Sequence, residues 1–249
     1  MIFRNIIFAS IIAGVIAGFA LGLVQNFSTN ETILAAEVYE IAEEKPAAHG
    51  YEPLAASSDH HHDPEAWGPE DGVERTFYTF LADLLAGIGF AILLISLMTL
   101  SGKGNVKNGW LWGLAGFATF FFIPALGLVP EIPGMEAANL QGRQGWWVMT
   151  AALTGLGFWL IAFGHIKLKV AGLALLALPH ILGAPLSDTH GFSHPDPAAV
   201  LTLESLASQF EMQAMIANAV FWLILGTASG FMIKKFGLVE GEKNQRSSE

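Results

Sequence analysis

Six apolar blocks separated by polar stretches set the plan of this chain. They run over residues 6–24, 77–100, 110–129, 146–163, 170–184 and 214–233. A helix needs about 17 to 25 largely apolar residues to cross the hydrocarbon core of a bilayer. Only the fifth block falls clearly short of that, and it stops at Pro185. The pattern predicts an all-α fold: a polytopic membrane helix bundle of about six transmembrane helices, forming a single membrane domain over 1–249. The first run lies where a secretory signal would. It is long for a signal core, and Gln25, Asn26, Phe27 and Ser28 follow it where a small-residue cleavage box belongs. It is therefore expected to stay as a helix.

Composition agrees with the pattern. Apolar residues make up 53% of the chain and charged residues 14%, against about 25% charged in soluble domains. The charges are also sorted. With the N-terminus inside, nine basic residues face the cytoplasm: Arg4, Lys103, Lys107, Lys167, Lys169, Lys234, Lys235, Lys243 and Arg246. Three (Lys45, Arg75 and Arg143) face out. Basic loops stay cytoplasmic, so both termini are expected inside, with 237–249 as a flexible cytoplasmic tail. The pairs Trp110/Trp112 and Trp146/Trp147 fit the two aromatic belts of such a bundle.

Small residues recur every fourth position: Ser10, Gly14, Gly18 and Gly22 in the first block, Gly226 and Gly230 in the last. This spacing lets helix backbones approach closely, and it reads as packing within one bundle. No internal repeat of the inverted kind is visible.

The external side holds the candidate chemistry. Residues 25–76 form the one long external loop, acidic and His-containing. Ser28 and Glu31 stand at capping-box spacing and predict a helix start. Glu37, Glu40 and Glu44 then share one helical face. After Pro46, Gly50 and Pro53, which read as irregular loop, comes the run Asp59, His60, His61, His62, Asp63. Imidazole suits first-row transition metals and carboxylates add harder oxygen donors. A flexible loop can bring two of the three histidines to one ion; a solvated polar loop is the plain alternative. His190 and His194, between Asp188 and Asp196, lie in the last external loop. Six of the eight histidines fall on this side.

One carboxylate and one imidazole lie within the apolar blocks. Asp83 is roughly two turns into the second, where an ionisable side chain is costly and points to function. His180 follows Pro179 near the outer end of the fifth. A proline there leaves the Leu175 carbonyl without its helical donor, beside an imidazole. Between the third and fourth blocks, Pro124, Pro130 and Pro133 predict an irregular outer segment. It carries Glu131 and leads to Arg143, whose partner is either an acid or a lipid headgroup.

Other chemistries are excluded or poorly supported. There are no cysteines, hence no disulfides, thiolate metal sites or thiol nucleophiles. A net charge of −10 argues against nucleic acid. No P-loop motif is present, and no nucleophile–base pair suggests an enzyme.

With these residues laid out, the chain resembles the CbtA family of predicted cobalt transporter subunits. The resemblance is carried by Ala36-Glu37-Val38-Tyr39-Glu40, Asp71-Gly72-Val73-Glu74-Arg75-Thr76 and Trp112-Gly113-Leu114-Ala115-Gly116. It continues through Pro130-Glu131-Ile132-Pro133-Gly134, Arg143-Gln144-Gly145-Trp146-Trp147 and Leu178-Pro179-His180-Ile181-Leu182-Gly183-Ala184-Pro185. It implies a multi-pass protein of the bacterial cytoplasmic (inner) membrane that takes up a divalent metal, cobalt or also nickel. It also implies a small one-span, His-bearing partner subunit of the CbtB kind. The expected metal-handling residues are then His60, His61, His62, Asp83, His180, Glu37, His190 and His194. A non-transporting membrane metal-binding protein, scaffold or sensor is the rival reading; membrane lipid is a partner in either case.

Overall fold

The computed structural model describes residues 2–43, 68–187 and 191–239. The long helices are α1 (Ile2–Asn26), α2 (Thr29–Glu43), α3 (Val73–Leu100), α6 (Leu140–Phe163), α7 (Ile166–Leu182) and α8 (Pro197–Phe236). Between α3 and α6, α4 (Gly109–Phe117) runs through a π-helical turn (Ala118–Phe122) into the short α5 (Ile123–Ala125). No strand occurs among the described residues; one isolated bridge joins Met135 and Phe192.

Among the described residues four helices, α1, α3, α6 and α8, are long and apolar enough to cross a membrane. The third apolar block gives a shorter helical run, Gly109–Ala125. Pro124 has no N–H to give to the carbonyl four residues before it, and the π-helical turn lies there; the chain leaves the helix after Ala125 for the irregular segment that the prolines predict. The fifth block becomes α7, of 17 residues, which opens with Lys167 and Lys169. The capping box expected at Ser28 does not form. The Ser28 hydroxyl donates instead to the Val24 carbonyl at 2.6 Å, closing the turn out of α1.

Glycine seams hold the helices together. A Cβ on Gly14 would lie 2.5 Å from the Ile88 backbone, one on Gly18 would collide with the Asp83 carbonyl, and one on Gly87 with the Gly14 carbonyl. α1 and α3 therefore meet backbone to backbone. Gly109 and Gly113 of α4 meet Gly226 and Gly230 of α8 in the same way, and Gly157 of α6 meets Gly172 of α7. The stripes of the first and last blocks are thus used inside the bundle. Around them lies a core of Ala9, Ala13, Ala17, Ala91, Ile95, Met98, Phe221, Trp222 and Leu225.

At 40 residues, α8 is about 60 Å long, roughly twice the hydrocarbon thickness. Its first half projects beyond the bundle, and α2 lies along it: Ala36 packs with Leu203 and Ala207, and Thr32 donates to Gln213 at 2.8 Å. At the opposite end, Asn5 reaches the Phe236 carbonyl and Gly104 sits against Ile233. The start of α1, the end of α8 and Lys103 share that end.

Gly18→Ala is expected to cost about 1–3 kcal/mol, because the new methyl meets backbone that cannot rotate away. Gly89→Ala, with open space around it, should be neutral or gain up to about 1 kcal/mol of helix propensity. Thermal unfolding of the two purified variants compares them; equal midpoints would mean that the seam does not hold the bundle.

Candidate functional site

The end of the molecule that carries α2 is built from three segments. Ile132, from the irregular stretch before α6, packs beneath Ala36 and Leu203, with Tyr39 and Phe192 around them. The segments before α6 and before α8 are tied together by the Met135–Phe192 bridge, by Glu136 N–H donating to Gly191 O at 3.2 Å, and by the Ser193 hydroxyl donating to the Glu136 carboxylate.

Two arginines organise the charges of this lobe. Arg75, in the first turn of α3, makes a two-pronged contact with Glu37 of α2 at 2.6 and 2.9 Å. It also reaches Asp71 at 3.0 Å. Glu37 is therefore committed to a guanidinium. Arg143 pairs with Glu131, which decides between the acid and the lipid headgroup for that side chain. Burial holds the Glu131 carboxyl above its usual range, and the charge of Arg143 offsets only part of that rise.

His194 stands close to this lobe. Its Nδ1 accepts from Asp196 N–H at 3.0 Å, which leaves Nε2 as the nitrogen that faces other partners. Its ring meets the edge of Tyr39 at 6.1 Å. His60, His61, His62 and His190 lie outside the described residues.

Asp83 is the one acidic side chain buried among the described residues. Ten residues from the start of α3, it is about 15 Å along the helix. It is buried, with Gly18 of α1 directly over its backbone carbonyl. Its Oδ2 has no hydrogen-bond partner among the described residues. Ser10 of α1 and Ser229 of α8 are fully buried, each with an unpartnered hydroxyl. Thr99 of α3 and Thr154 of α6 hold unpartnered buried hydroxyls as well, and Ser10 lies eight residues, about 12 Å along α1, from the Gly18 that covers Asp83. The two serines were legible only as members of the small-residue stripes, where a serine looks like any other spacer.

His180 is elsewhere. It is exposed on α7, which packs against α6, and its ring meets the edge of Trp146 at 5.8 Å. The Trp146 indole donates to the Pro179 carbonyl at 3.3 Å. The polar group engaged at this proline is thus its own carbonyl. Asp83 and His180 sit on separate helix pairs. Among the described residues no group of three or more His, Asp or Glu side chains is close enough to hold a metal ion.

The Arg75–Glu37 fork should hold α2 against α3. Exposed pairs contribute about 0.2–1 kcal/mol, and the two-pronged geometry favours the upper part of that range. A double-mutant cycle of Arg75→Gln and Glu37→Gln, followed by thermal unfolding, is expected to show coupling of that size. Strictly additive losses would show that α2 is held by its apolar face alone.

No curated protein and no solved structure matches the chain. The family model described as "Probable cobalt transporter subunit (CbtA)" does match, over residues 3–234. That span takes in the lobe, the buried carboxylate and all three glycine seams, and the chain belongs to the CbtA family.

Proposed function

We propose that this chain is the membrane subunit through which a divalent transition metal, cobalt first and nickel second, enters a bacterial cell across its cytoplasmic membrane. The observation that carries this reading is Asp83: a buried carboxylate with an unpartnered oxygen, in a helix of membrane-crossing length, in a member of a family described as cobalt transporter subunits. A carboxylate at such a depth is costly and persists where it serves an ion path.

The lobe built on α2 faces out and the Lys-bearing loops face in, because basic loops stay cytoplasmic. The run Gly109–Ala125 and α7 then complete six crossings, with both termini inside. His60, His61 and His62 raise the ion concentration at the outer face, with His190 and His194 on the same side. Glu37 takes part only if Arg75 releases it, and His180 serves as a separate contact on α7. A small one-span, His-bearing partner of the CbtB kind completes the transporter. The chain has no P-loop sequence for ATP.

A second reading is favoured by the lobe itself, a platform held out along α8: the chain presents metal or a partner without transporting. The two readings part at Asp83. In cells lacking other cobalt importers, expression with the partner should raise cobalt accumulation, and Asp83→Asn should return it to background while protein level is unchanged. Replacing His60, His61 and His62 with Ala should raise the cobalt concentration needed for half-maximal uptake and spare the maximal rate. If Asp83→Asn takes up cobalt like the wild type, the transport path does not run through α3.

A further inference from the structure

The α6–α7 hairpin stands partly away from the other helices. α6 meets them chiefly at the π-helical turn and α5, where a Cβ on Gly155 would touch the Thr119 methyl at 3.5 Å. From there towards the Lys-bearing end the two sides part, leaving a cleft of about 740 Å³. Phe90, Ala115, Phe120, Ala152 and Trp159 are among its walls, and Lys103 and Asn108 stand at one end.

We propose that this cleft binds one acyl chain of an anionic phospholipid, with the phosphate at Lys103. Length and charge support the assignment. On α4 and the π-helical turn the lining runs from Asn108 to Phe120, about 18 Å at 1.5 Å per residue. One leaflet of a hydrocarbon core about 30 Å thick has nearly that depth. The polar end is cationic: 101–108 and 164–169 contribute Lys103, Lys107, Lys167 and Lys169, with no Asp or Glu. The Lys103 ammonium lies 4.8 Å from the centre of the Phe163 ring, a cation–π contact that keeps it at the mouth.

The site is separate from Asp83 and does not rest on the transport reading. Its test is lipid retention by the full-length purified protein, counted by native mass spectrometry after incubation with equal phosphatidylglycerol and phosphatidylcholine of matched chains. Phosphatidylglycerol should be retained over phosphatidylcholine by about fivefold, the factor expected for one Lys at an anionic headgroup. Lys103→Gln, on an exposed side chain, should abolish most of that preference. Ala152→Trp should fill the cleft and lower the retention of both lipids; if that variant does not fold, Gly155→Leu takes its place. Equal retention of the two lipids by the wild type overturns the proposal, as does an unchanged preference in Lys103→Gln. So does full retention in the folded cleft-filling variant.

Discussion

The backbone contact between α1 and α3 is the constraint from which the rest of the bundle follows. Inside a bilayer there is no hydrophobic gain from pressing one apolar helix onto another, so association depends on close packing and polar contacts. Gly14 and Gly18 of α1 and Gly87 of α3 remove the side chains that would keep the two axes apart. The consequence for Asp83 is direct. Its backbone lies under Gly18, so its carboxylate is carried into the packed interior. The glycine seam and the buried charge are one feature seen from two sides.

The seam between α4 and α8 plays the matching role at the Lys-bearing end. Gly226 and Gly230 accept α4 at close range, and Trp222 then lies flat against Phe120, with ring centres 5.4 Å apart. α6 has no such glycine contact with this group; its glycine seam is spent on α7. That difference explains why the α6–α7 hairpin leaves a cleft beside the bundle.

Helix positions and small-residue seams were legible in the sequence because both are local patterns: an apolar run has a length, and a glycine every fourth residue marks one face. The capping role expected of Ser28 was not, because its hydroxyl had a nearer acceptor in Val24, and spacing cannot tell two acceptors apart. The π-helical turn within the third apolar run sits where Pro124 leaves a carbonyl without its donor, which hydropathy does not record. Partner choice was also out of reach. Glu37 looked like a ligand on an acidic helix face, and only the fold brings Arg75 to it across 38 residues of sequence. His180 and Asp83 share hydropathy depth, but α7 and α3 pack on different neighbours.

The length of α8 has a mechanical side. A continuous helix of about 60 Å behaves as a stiff rod, and a tilt of about 5° around its midpoint moves each end by roughly 2.5 Å in opposite directions. One end of this rod bears α2 and the loops around His194; the other bears Gly226, Gly230 and Lys234. A displacement at the lobe is therefore felt at the α4 seam without any intermediate segment to absorb it.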